Sequence, residues 1–185
     1  MLLTILAILT AFLSNLETKT MQSDFTVTVA EEVNAPMNYP GTITMHGNHF
    51  ALTMFGIKAA YDGKTLYMYA GDTDELTLSY PTEQELVETN PFLYAKALVN
   101  VCNITERSVS DGTQTLITLT PKDQSIGINR FTLRVRNADL MPLQAEIKEG
   151  KKISTLKLKD PKFITSKQVY EIKPDKDTYV NDMRL

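Results

Sequence analysis

The chain has 185 residues, 43% hydrophobic and 22% charged, with a formal net charge of −3. That size and balance suffice to bury a core and exclude a disordered or low-complexity chain. One cysteine, Cys102, excludes an intrachain disulfide, and an acidic balance whose basic residues are not interleaved with aromatics speaks against nucleic-acid binding. The charge is uneven: residues 1–100 carry four Lys, no Arg and eleven acids, a net of −7, whereas residues 101–185 carry fifteen bases and eleven acids, a net of +4. Such an asymmetry bears on association, as two solvated faces or as one polarised surface, rather than on fold.

In chain order, Leu2–Leu13 is apolar except for Thr4 and Thr10. The run is shorter than the ~20 residues that cross a bilayer. It lacks the basic n-region and small-residue cleavage site of a secretory leader. It reads as an N-terminal helix, buried around most of its circumference and continuing through Phe12, Leu13 and Leu16, with a truncated leader remnant as the alternative. If the helix belongs to the mature domain, the export signal lies upstream.

Period-two alternation follows. Phe25, Val27 and Val29 oppose Asp24, Thr26 and Thr28, a half-buried strand. After Pro36 and the Tyr39-Pro40-Gly41 turn, Ile43 and Met45 oppose Thr42 and Thr44, and Phe50, Leu52 and Met54 share the face of a third strand. Tyr61-Asp62-Gly63-Lys64-Thr65-Leu66-Tyr67-Met68-Tyr69 reads as a two-residue Asp-Gly hairpin feeding another strand, then Leu76, Leu78 and Tyr80. The period then changes. Thr82-x-x-Glu85 resembles a capping box, and Asn90-Pro91 an N-cap with proline at the first helical position. Two short helices are expected, at about 82–89 and 91–101, the second with Phe92, Ala95, Val99 and Cys102 on one face. Strands resume at Thr115–Thr120, Phe131–Val135, Leu143–Ile147, Leu156–Leu158 and Val169–Ile172. Consecutive alternating strands with short polar turns predict an antiparallel meander with one wet face, in a single domain over 1–185.

Sites for chemistry are sparse. His46 and His49, three apart on one strand, would point to opposite faces and share no metal unless Gly47-Asn48 breaks the strand. Neither a nucleophile constellation, a glycine-rich phosphate loop nor zinc-ligand spacing is present. Asp62, Asp72 and Asp74 stand in turn contexts, where Asp serves structure. No catalytic residue, metal or cofactor is therefore assigned. What remains is surplus apolar surface. A strongly bent sheet has a concave face that helices can cover imperfectly, and thioethers such as Met45, Met54 and Met68 repack around irregular ligands.

Several segments, in order along nearly the whole chain, resemble the LolA-like lipoprotein carriers. These are Ser23-x-Phe25-Thr26 after the first helix, Tyr61–Tyr69, Asn90-Pro91-Phe92-Leu93, Leu119-Thr120-Pro121-Lys122, Phe131-Thr132-Leu133 and Ile172-Lys173-Pro174 leading to Val180-Asn181-Asp182-Met183-Arg184. The resemblance implies an α+β fold, an unclosed and strongly curved antiparallel half-barrel with a lid of short helices over an apolar cavity. It implies a non-enzymatic, monomeric periplasmic carrier with acylated lipoprotein as cargo, an inner-membrane ABC releasing complex upstream and an outer-membrane receptor downstream. The residues expected to line the cavity are Phe25, Val27, Ile43, Met45, Phe50, Leu52, Met54, Leu66, Met68, Phe92, Leu93, Leu98, Leu133 and Ile147. Where the family places a lid-latching arginine this chain has His46, the candidate latch here. The alternatives are a receptor or lipid-sensing envelope-stress regulator of the same fold, and a secreted structural or adhesive β-domain with a solid core.

Overall fold

The computed structural model describes residues 7–32, 34–165 and 168–184, the side chains at 88, 91 and 124 excepted. The first helix, α1 (Ala7–Thr18), turns Leu9, Phe12 and Leu16 inward at i, i+3 and i+7; residues 2–6 of the expected helix lie outside the described residues. A meander follows: β1 (Thr20–Glu31), β2 (Asn34–His46), β3 (His49–Met54), β4 (Ile57–Tyr61), β5 (Leu66–Ala70) and β6 (Glu75–Ser79). Two short helices come next, α2 (Glu83–Thr89) and α3 (Pro91–Leu98). A second meander comprises β7 (Cys102–Val109), β8 (Gln114–Pro121), β9 (Arg130–Arg136), β10 (Met141–Glu149) and β11 (Lys152–Ile164), and the last element is β12 (Tyr179–Asp182).

All twelve of these strands form one sheet in the order β12-β6-β5-β4-β3-β2-β1-β11-β10-β9-β8-β7. The two meanders are joined in the middle by β1 and β11, which pair from Thr20↔Ile164 to Ala30↔Ile153. Register shifts at Gln22/Asp24, Val29/Glu31 and Pro142/Gln144 bend these central strands, as bulges do. One glycine is demanded by packing. Phe25 sits opposite Gly41, and a Cβ there would lie 2.4 Å from the Phe25 ring and 2.5 Å from the Thr53 carbonyl oxygen. Gly41 thus lets the ring lie across β2 on the concave face.

Because β6 and β7 stand toward opposite edges of an unclosed sheet, the chain between them must cross the concave opening. That crossing is α2–α3, whose caps match the sequence signals. Thr82 Oγ1 accepts from the Glu85 amide while Glu85 Oε2 accepts from the Thr82 amide at 2.7 Å, and Asn90 Oδ1 accepts from the Phe92 amide at 3.0 Å. Helices therefore lie across a half-barrel, as the α+β reading expects.

Six local expectations are corrected. The Asp62 loop spans four residues, Tyr61 pairing with Leu66. The Asp62 carboxylate accepts from the Lys64 and Thr65 amides at 2.9 and 2.7 Å and from the Tyr67 hydroxyl at 3.0 Å, and Gly63 alone in the loop takes positive φ, +94°. Burial opposes ionisation of Asp62, but these donors together hold its pKa below the usual carboxylate value. Gly47-Asn48 does break the strand, so His46 pairs with His49 across a tight hairpin and both face outward. A further hairpin, Phe55-Gly56, separates β3 from β4. The second helix stops at Leu98, because Cys102 already pairs with Pro121 in the β7–β8 ladder. Residues 169–172 are not a strand. They cross the outer face, where Ile172 packs on Ala60, Tyr67, Leu76 and Leu78 and Tyr170 meets the His49 ring at 5.7 Å. The last strand is β12, parallel to β6, which makes the sheet mixed rather than purely antiparallel.

Candidate functional site

The concave face has two unlike ends. At one, α1 fills it. Phe12 meets Phe92 of α3 edge-on at 6.1 Å, Tyr94 meets Phe131 at 6.0 Å, and Phe12, Phe50, Phe92, Phe131 and Leu133 are at most 1% exposed. The Leu9 amide of α1 donates to Glu106 Oε1 of β7 at 3.0 Å, and Asn15 Nδ2 donates to the Asp139 carbonyl. Side chains here interdigitate.

At the other end the sheet runs past α1, and among the described residues α2, α3 and the 3-10 turn Gln124–Ile126 stand opposite it. A cavity of about 570 Å³ remains, within the range of ligand pockets. Its walls are Phe25 and Val27 of β1, Ile43 of β2, Leu52 and Met54 of β3, Ala145 and Ile147 of β10 and Leu156 of β11, roofed by Val87, Tyr94, Ile126 and Ile128. Burial decreases along each strand toward the hairpin tips, from Phe25 to Val27 and from Ala145 through Ile147 to exposed Glu149. The mouth therefore lies at the tips. Beside it stands an aromatic pair, Tyr39 and exposed Phe55, with ring centroids 4.0 Å apart.

Of the residues expected to line a cavity, Phe25, Val27, Ile43, Leu52, Met54 and Ile147 do so. Phe50, Leu66, Leu98 and Leu133 are instead buried in the packed core, with Met68 half-buried against it. Met45, Phe92 and Leu93 border only a crevice of about 20 Å³ beneath Leu13 and Leu16 of α1. All three stand where α1 packs on the sheet and on α3. Sequence reasoning missed Gln84, Val87 and Thr89 at α2, Tyr94 of α3, Ile126 to Ile128, Ala145, Glu149, Ser154 and Leu156. The alternation of β10 and β11 contained Glu149 and Ser154, whereas Ile126-Gly127-Ile128 has no period to read.

His46 is not placed as a latch. Its Nδ1 lies 3.3 Å from Thr20 Oγ1, on the face of β2 opposite buried Met45. The lid is joined to α1 by another pair, Lys96 Nζ to Glu17 Oε1 at 2.6 Å, both ends more than half exposed. Cys102 is buried, and desolvation pushes its thiol pKa up, contrary to what a nucleophile needs. Among the described residues, no group of three or more His, Cys, Asp and Glu side chains comes together to hold a metal. None of the described helices is long and apolar enough to cross a membrane.

No family model and no curated protein matches the sequence. Solved structures do share its fold. An uncharacterized conserved protein of Thermus thermophilus superposes with a TM-score of 0.64 at 16% identity, over 95% of this chain and 97% of that one. The Mycobacterium tuberculosis lipoprotein LppX gives 0.51 at 16% identity over 92% and 97%. A LolA superfamily protein of Nitrosomonas europaea gives 0.44 at 13% identity over 85% and 94%. The likeness is one of fold: the chain shares with the Thermus protein and LppX its single unclosed sheet covered by short helices.

Proposed function

We propose that this protein is a carrier that shelters the acyl chains of lipoproteins, or of related acylated lipids, in its cavity and hands them on without chemistry. The carrying observation is the cavity of about 570 Å³, with apolar walls on five strands and a roof of two short helices. A structural or adhesive domain with a solid core would have no use for such a void, since unfilled apolar space costs stability. Each CH₂ moved from water into the cavity contributes about 0.8 kcal/mol, so a chain of ordinary length is held firmly. Release then requires a lid that opens at low cost, and the lid here is two helices of seven and eight residues. The fold shared with the lipoprotein LppX supports the same reading. In it the chain works in the periplasm, receiving cargo from an inner-membrane ABC releasing complex and passing it to an outer-membrane receptor.

The test is titration with a fluorescent acyl probe bearing a neutral head. Saturable binding is expected, weakened at least about tenfold by Leu52→Glu and by Ile147→Glu, each of which places a charge in the cavity wall. Absence of binding, or binding indifferent to both substitutions while circular dichroism stays native, would overturn the proposal.

A further inference from the structure

The polar groups in the cavity wall are few. They are Gln84 and Thr89 at α2, Ser154 of β11 and Glu149 at the end of β10. Among the described residues Glu149 is the only charged one in the lining, and none there is basic. Of the two lysines of the adjoining hairpin, Lys151 is drawn away, its Nζ 2.5 Å from Glu32 Oε2, whereas Lys152 Nζ lies 3.8 Å from Glu149 itself and offsets part of its charge. The roof adds negative charge, because α2 carries Glu83 and Glu85 in its first turn and no basic residue in its last. Glu149 is at the mouth, at the opposite end of the cavity from buried Phe25.

Resting on the carrier reading, we propose that the cavity selects chains whose head is neutral and hydrogen-bonding, such as an ester, amide or hydroxyl, and discriminates against chains ending in carboxylate or phosphate. A neutral head finds an acceptor in Glu149 and a hydroxyl partner in Ser154. An anionic head is brought beside the Glu149 carboxylate, and like charges repel the more strongly the less water lies between them. This selectivity would separate acyl chains in ester or amide linkage from free fatty acids and from phosphate-bearing lipids.

The experiment uses three ligands with the same twelve-carbon chain, 1-lauroylglycerol, laurate and lauryl phosphate, as competitors of the neutral fluorescent probe at pH 8. The glycerol ester is expected to bind about tenfold or more tighter than either anion. Glu149→Gln should bring the ratio of ester to anion affinity down toward one, and Lys152→Gln, which removes the cation beside Glu149, should raise it. Laurate binding as tightly as the ester to the unaltered protein, or a ratio unmoved by Glu149→Gln, would overturn this selectivity while leaving the carrier intact. Failure of all three ligands to displace the probe would instead overturn the carrier reading, and the selectivity with it.

Discussion

The end of the half-barrel beneath α1 and the end beyond it share the central strands and their alternation, yet one is solid and the other hollow. On β1, Met21 is fully buried and Val27, three inward positions further along, is half-exposed in a cavity wall. On β10 the change runs over four residues, from Ala145 at 2% exposure to exposed Glu149. Nothing in the strands distinguishes the two ends; the cover does. α1 brings Leu9, Phe12 and Leu16 against the sheet and reaches α3 through the Phe12–Phe92 contact. α2 faces the hollow end with Gln84 and Val87 and leaves the space between unfilled. In this molecule, then, stability and capacity are separated along the strand axis.

Core substitutions provide the largest test of that separation. Leu133→Glu should prevent stable folding altogether, since it buries an unpaired charge. Phe131→Ala should cost about 3–5 kcal/mol in chemical denaturation, because the ring is fully buried and Tyr94 packs on it. Val27→Ala, in a wall already facing empty space, should cost less than about 1.5 kcal/mol while weakening binding of the acyl probe. Equal costs at the two ends would break the comparison.

The lid should lie between these extremes. Thr82→Ala removes the side-chain half of the capping box and should destabilise α2 by about 1 kcal/mol, read as faster hydrogen exchange at Leu86–Thr89 and faster release of bound probe. Amides of α2 and α3 should exchange faster than those of Phe131–Val135 in the unaltered protein. Uniform protection would indicate a rigid domain in place of a carrier with an opening roof.

The smallest expected effect is a pH dependence at the far edge. A side-chain hydrogen bond from Arg184, joined by the Arg184 backbone amide, lowers the Asp182 pKa to about 2. A depressed carboxylate contributes stability above its unfolded value, about 3.9, and loses that contribution as pH falls toward the folded value. Exchange of the β12 amides should therefore rise between about pH 4 and pH 2 relative to an Asp182→Asn variant, with the cavity-lining strands unaffected. A flat profile through that window would show that the pair does not hold the strand.

How far this architecture was legible follows from the range of each interaction. Period-two runs such as Phe25-Val27 and Phe131-Leu133-Val135 and the two caps at Thr82 and Asn90 are local, and the sequence displays them plainly. The strand that Gly47-Asn48 divides is read correctly only once pairing is known, because a tight hairpin returns His49 to the face of His46. The helical face ending in Val99 and Cys102 gives way to tertiary pairing of Cys102 with Pro121. The cavity wall was half legible. Alternation identifies which residues point inward, but which inward residues α1 covers is decided by a helix far away in sequence. For that reason Phe50, Leu66 and Leu133, inward by alternation, lie in the core and not in the wall, as does Leu98 at the end of α3. Ile126 and Ile128, in an aperiodic loop, could not be read at all.

The central claim, that the hollow end takes an acyl chain while the solid end does not, is tested most directly by intermolecular nuclear Overhauser effects between a saturated acyl ligand and methyl-labelled protein. The account predicts cross-peaks from ligand methylenes to the methyls of Val27, Ile43, Leu52 and Ile147, and none to Leu9 or Leu133. Contacts confined to exposed methyls such as Val169, or the absence of any contact at saturating ligand, would contradict it.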